Sequence, residues 1–191
     1  MEKLKIKVIL GSTRPSRFGI QPAEFIMNEA KKLSDFDVEL VDLKHYPVPF
    51  FEEAISPAYS KEPYTNENVN KLASKIAEGD AFIMITPEYN HSFSAVLKNT
   101  LDYIYKEWNR KPVAFVSYGS VGGARAVEQL RLVVAELQMV SIRPSLLLQN
   151  IWTNLDESGK FKFESYVEHT QSILQDLLWW AKTLRDGRMN K

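Results

Sequence analysis

The chain has 191 residues, 24 of them basic and 24 acidic, and no cysteine. That length suits one substantial core and is short for two, so a single domain over 1–191 is expected. Balanced charge gives no support to a nucleic-acid or anionic-membrane partner, and the lack of cysteine excludes disulfides, thiolate catalysis, iron–sulfur clusters and cysteine-based zinc sites.

In chain order, the start MEKLKIKVILG runs straight into a strand over 4–10, without an apolar segment of signal-peptide length. No apolar run approaches the roughly 18 residues needed to span a bilayer, so a cytoplasmic protein away from membranes is expected. A helix over 20–33 and a strand over 37–43 follow. Residues 44–65 then break the rhythm with Pro47, Pro49, Pro57 and Pro63 among five aromatics. Loops of that length are often functional, although a crossover packed down by its own aromatics reads equally well. Beyond it lie a helix over 66–78, a strand over 79–86, a helix over 95–108 and a strand over 112–118. A helix over 124–139, a strand over 142–148 and a helix over 164–184 complete the chain. The third and fourth strands are almost wholly apolar, as strands covered on both faces are, whereas the first and second alternate more, which suggests less central positions or one partly wet face. Five β–α repeats imply a parallel sheet with helices on both sides. Trp179 and Trp180 are adjacent in the last helix, so one of them is expected at the surface.

Three strand-to-helix turns carry the chemistry. GSTRPSRFG (11–19) lacks both the lysine of a P-loop and the three glycines of a dinucleotide fingerprint. It offers hydroxyls, two guanidiniums and the free N–H groups of a helix start, a combination suited to a phosphate and equally to an ordinary helix cap. In TPEYNHSFSAVLKN (86–99), Pro87 ends the strand, Glu88, Tyr89 and Asn90 form the turn, and Ser92 or Ser94 can cap the next helix. In SYGSVGGARA (117–126), Gly119, Gly122 and Gly123 allow close approach to a planar ligand or simply make a flexible connector. All three turns leave the carboxyl ends of strands, and a shared ligand would explain them together. His45, His91 and His169 lack metal-ligand spacing, no Gly-x-Ser-x-Gly elbow is present, and Glu52–Glu53 reads as a solvated turn.

At these turns the chain resembles the NADPH-dependent FMN reductase family of flavodoxin-like proteins, which includes quinone, azo-dye and chromate reductases. The resemblance runs from Leu4 to about Leu148 and rests on GSTRPSRFG, PEYNHSFSAVLKNTLDYIYKEW and SYGSVGGARA. It implies a flavodoxin-like three-layer sandwich whose five-stranded parallel sheet has the order 2-1-3-4-5. It further implies an FMN phosphate held by Ser12, Arg14, Arg17, Phe18 and Gly19, and an isoalloxazine ring held by Pro87, Glu88, Tyr89 and Asn90. Ser117, Tyr118, Gly119, Ser120, Gly122 and Gly123 would line the ring's other side. Many relatives have serine where Arg17 stands, and a Pro-Gly pair near Ser94-Ala95. By resemblance the chain is an oxidoreductase in which NADPH (or NADH) reduces FMN and a small-molecule electron acceptor is reduced next, by a ping-pong mechanism. Quinones, azo compounds, metal ions and free flavin are all suitable acceptors. A homodimer or tetramer is implied, with the aromatic helix DYIYKEW as a candidate contact, and no nucleic acid, metal or membrane takes part. The flavin itself carries the chemistry, so no catalytic side chain is expected. A flavodoxin-type electron carrier is the alternative, and a formal net charge of zero weighs against it.

Overall fold

Five apolar runs form five parallel strands in the computed structural model, which describes residues 2–60 and 63–190. They are β1 (Leu4–Leu10), β2 (Phe36–Asp42), β3 (Ala81–Pro87), β4 (Pro112–Gly119) and β5 (Val140–Gln149). Their order in the sheet is β2-β1-β3-β4-β5, so every carboxyl end opens on one edge and the order reverses between β1 and β3. Five helices cover the two faces: α1 (Ile20–Lys31), α2 (Glu67–Glu78), α3 (Ala95–Tyr103), α4 (Ala124–Glu136) and α5 (Val167–Met189). α1 and α5 bury Ala23, Ile26, Ile173 and Leu177 against one face, while α2, α3 and α4 bury Leu72, Leu97, Leu101 and Leu130 against the other. The layering is the one that the five β–α repeats imply, and the order is the one that the family resemblance implies.

Three expectations change on contact with the structure. The alternation in β1 does not mark a wet face. Lys7 is 3% exposed, and its ammonium donates to Glu39 of β2 and, at 2.6 Å, to Glu78 of α2. A lysine read as solvated is buried because two neighbouring elements supply carboxylates. The third helix ends at Tyr103 rather than at 108, because Ile104 turns extended and a short 3-10 turn, Lys106–Trp108, follows. That break sends Tyr103, Ile104 and Trp108 into the core, with the Trp108 ring edge-on to Phe82 at 4.8 Å. Tyr103, Ile104 and Trp108 of DYIYKEW are therefore core, while Tyr105 stays half-buried and Lys106 exposed. The last helix begins at Val167 and runs to Met189; Trp179 is 60% exposed, whereas Trp180 packs partly on the core.

The 44–65 segment, of which residues 61 and 62 lie outside the described set, is pinned to α3. Asn99 donates to the Pro49 carbonyl at 2.7 Å and accepts from the Phe51 N–H at 2.9 Å, and the Tyr103 hydroxyl donates to the Phe50 carbonyl. Among the described residues no helix is long and apolar enough to cross a membrane.

Candidate functional site at the carboxyl edge of the sheet

The first turn is braced from inside. Arg17 reaches Asp42 at the end of β2 with both arms of its guanidinium, one of them at 2.8 Å, and also donates to the Ser12 carbonyl at 2.5 Å. Both side chains of the pair are nearly buried. Burial works to raise the Asp42 pKa, but the Arg17 hydrogen bonds, the Lys44 N–H and the Arg17 charge prevail and hold it below the ordinary carboxylate value. Most of the Arg17 charge is thus consumed in closing the loop. Arg14 is exposed, lies 5.7 Å from the Tyr89 ring centroid, and has no ion-pair partner among the described residues. Ser12 is buried, with its hydroxyl 3.2 Å from that of Tyr89.

At the end of this turn α1 begins at Gly19 without a side-chain cap and without an acidic residue in its first turn. A Cβ on Gly19 would stand 2.8 Å from the Tyr118 hydroxyl and 2.9 Å from Leu10, so a larger residue there would have to displace those side-chain ends. Tyr118 is 5% exposed and, among the described residues, its hydroxyl has no partner in hydrogen-bonding geometry, although Ser12 and the Gly19 N–H lie close enough to temper its pKa. Burial, reinforced by Tyr89, pushes its phenol well above the ordinary value, so it stays a neutral donor. An unsatisfied O–H beside the uncapped, positive end of a helix is a set of donors lacking an acceptor.

The second turn is a tight hairpin. The Tyr89 N–H donates to the Ser92 carbonyl and the Ser92 N–H to the Tyr89 carbonyl, at 2.8 and 3.1 Å. Asn90 and His91 both have positive φ, 48° and 75°, as in a type I′ turn. The Ser92 hydroxyl donates to Gln129 of α4 at 2.5 Å, and the Gln129 amide donates to the His91 carbonyl at 2.8 Å. Of the two candidate caps, Ser94 caps α3 through the Leu97 N–H, and its hydroxyl also donates to the Gly11 carbonyl, joining the second turn to the first.

The third turn is shaped from below. Ser117 is fully buried and donates to the Gly122 carbonyl at 2.7 Å. Gly122 faces β5, where a Cβ would meet Leu147 at 2.8 Å; Gly123, at φ 76°, faces β4, where a Cβ would meet that of Ser117 at 2.6 Å. Both glycines have positive φ, and the strands beneath leave no room there for a side chain. Gly119 and Tyr118 reach the open side, and Ser120 is exposed on the rim.

Between the turns lies a cleft of about 360 Å³, within the size range of small-ligand sites. Arg14, Arg17 and Phe18 line one side, and Pro87, Glu88 and Tyr89 the other, with Tyr118 and Gly119 between. Phe18 is fixed edge-on between Tyr118 at 5.1 Å and Phe161 at 5.5 Å. Ser16, Ile151 and Trp152 also line the cleft and were not foreseen. The signal was available: QNIW follows the fifth strand, whose carboxyl end must open on the same edge as the other four. Among the described residues no three His, Asp or Glu side chains are grouped to hold a metal ion.

An open parallel sheet in this order, with its cleft where the order reverses, defines a flavodoxin-like α/β protein. Sequence comparison narrows the class: residues 4–153 match the NADPH-dependent FMN reductase family, and the chain belongs to that family. An NAD(P)H-dependent FMN reductase of Schizosaccharomyces pombe is 41% identical over 135 residues, covering 71% of this chain and 68% of the relative. A 2-hydroxy-1,4-benzoquinone reductase of a Burkholderia species is 30% identical over 192 residues, covering 95% and 98%. In structure, a flavoenzyme NAD(P)H:(acceptor) oxidoreductase from Paracoccus denitrificans superposes with a TM-score of 0.75 at 22% identity, covering 94% and 98% of the two chains, a likeness of fold. The chain is accordingly an NAD(P)H-dependent oxidoreductase with FMN as its cofactor.

Proposed function

We propose that FMN binds in the carboxyl-edge cleft and that the chain works, by a ping-pong mechanism, as a reductase of small acceptors, with quinones the preferred class and azo compounds, metal ions or free flavin also served. FMN supplies the redox chemistry, accepting hydride and releasing electrons. The chain's own residues bind and orient. The N–H groups at the α1 start, the Tyr118 hydroxyl and the Arg14 guanidinium hold the phosphate, with Ser12 and Phe18 beside them and Arg17 keeping the turn in shape. Pro87, Glu88, Tyr89 and Asn90 meet the ring edge, while Gly119 and Ser120 border the open side above the Ser117, Gly122 and Gly123 floor. The observation that carries this reading is the unsatisfied Tyr118 hydroxyl beside an uncapped helix start. NADPH and NADH both remain donors in this reading. The chain acts as one unit over 1–191, in the cytoplasm, as a homodimer or a pair of dimers; Phe50 and Tyr59, 83% and 82% exposed on the long loop, support such a contact.

The test separates binding from folding. Tyr118→Phe removes a buried donor that the protein alone leaves unpaired, so the FMN-free protein is expected to gain about 1 kcal/mol of stability. The same change is expected to weaken FMN by a similar amount, read by flavin fluorescence quenching, and to slow quinone-dependent NAD(P)H oxidation at limiting FMN. Loss of stability together with unchanged FMN affinity would remove Tyr118 from the site. A purified protein that takes up no FMN would overturn the reading.

A further inference from the structure

Arg125 sits in the first turn of α4, where the positive end of the helix disfavours a cation. What holds it there is Glu88. The Arg125 Nε lies 2.6 Å from Glu88 Oε1, a contact whose N–H is off line for a hydrogen bond. The Glu88 side chain is 6% exposed, lines the cleft, and its second oxygen is buried without a hydrogen-bond partner among the described residues. Among the described residues Arg125 is the one cation paired with this carboxylate. One turn further along α4, Gln129 grips the hairpin that follows Glu88, and the Arg125 Nη1 stands 3.3 Å from His91 Nδ1. The foot of α4 therefore clamps the whole second turn.

We propose that Arg125 is a positioning residue of the flavin site: it holds the Glu88 carboxylate against the foot of α4 and so keeps an anion out of the cleft. The inference rests on the reading that FMN occupies that cleft. A buried charge stripped of its partner seeks water. Glu88 already borders the cleft, beside Tyr89, Tyr118 and Gly119. The cleft is the open direction. A carboxylate turned into it opposes FMN, and opposes reduced FMN more, since reduction adds negative charge.

The variants Arg125→Gln, Glu88→Gln and the double substitution, with Arg125→Lys as the conservative control, decide the point. FMN affinity is read by fluorescence quenching of FMN on the FMN-free protein, and the midpoint potential by spectroelectrochemical titration. R125Q is expected to weaken oxidised FMN about tenfold, the scale of coupling between residues in contact. Reduced FMN is expected to lose about a further tenfold, which is a potential lower by about 30 mV for a two-electron couple. The double variant is expected to bind like E88Q, because the anion that does the harm is gone, and R125K to stay near the unsubstituted protein. A side chain that merely props the fold would lose the same affinity with or without the Glu88 charge, and that result overturns the inference. An R125Q protein indistinguishable from its parent overturns it as well, while leaving the FMN reading intact. If R125Q is insoluble, the double variant must fold and bind like E88Q, and its failure to do so also overturns the inference. A parent protein without FMN affinity removes both readings together.

Discussion

Two arginines three residues apart, Arg14 and Arg17, have opposite duties. Arg17 is locked to Asp42 in a nearly buried pair, whereas Arg14 is exposed and unpaired among the described residues. Arg17→Gln is therefore expected to destabilise the FMN-free protein by about 3–5 kcal/mol, the cost of stranding a buried partner, measured by urea unfolding. Arg14→Ala should leave that stability unchanged and weaken FMN by about 1.5–3 kcal/mol, the scale of a charge-assisted hydrogen bond. Equal stability losses in the two variants would refute the division. The pair also fixes an acid limit. Because Asp42 is held below its ordinary value, its contribution is present above the unfolded pKa and fades as pH falls through the folded one. Both arginines were legible as basic residues in a phosphate-like turn. Which of them was free was not legible, because the deciding carboxylate lies 25 residues away on another strand. Tyr118 was likewise readable as a residue at a strand end, but its missing partner is a property of packing alone.

At the level of elements, α3 does more than cover the sheet. Its start is tied to the first turn through Ser94, and its middle and end hold the long loop through Asn99 and Tyr103. The periodicity of 95–108 was readable as a helix, yet its early end was not, because Ile104 and Trp108 keep helical spacing while filling the core from an irregular backbone. Nor could spacing show that Asn99 faces the loop, since the partners are backbone groups, a carbonyl that any residue at 49 would supply and an N–H that any residue but proline would supply at 51. Asn99→Ala removes two hydrogen bonds worth about 1 kcal/mol each. It is expected to raise amide hydrogen exchange at residues 49–55 while leaving the α1 start protected. Exchange rising equally at both places would show that the loop and the cleft open as one piece.

Across the whole molecule, a formal charge of zero conceals a division between the two edges of the sheet. Both edges pair their charges, Arg17 with Asp42 and Arg125 with Glu88 at the carboxyl edge and Arg188 with Asp80 at the other. Among the described residues, however, the carboxyl edge alone gathers unpartnered polar atoms, those of Tyr118 and Glu88, on one cleft. Lys111 is the costly member. Its ammonium donates to the Ile76 and Ala77 carbonyls at the end of α2, and burial, then the nearby Arg188 charge, pushes its pKa down to about 8. A lysine lowered on folding binds fewer protons folded than unfolded between about 8 and its ordinary value of 10.5, so stability rises with pH in that window. Relative to Lys111→Met, the protein is expected to gain up to about 3 kcal/mol between pH 8 and 10.5 in urea unfolding, and parallel curves would refute this. The seat of Gly123 against Ser117 bears on how such a chain can change over generations. Neither position accepts a larger side chain without moving β4, whereas Asn90, Ser120 and Trp152 are exposed at the lip. Mutational drift is thereby channelled: descendants can vary the outer side chains of the cleft at little penalty to foldedness, while its floor stays closed to experiment.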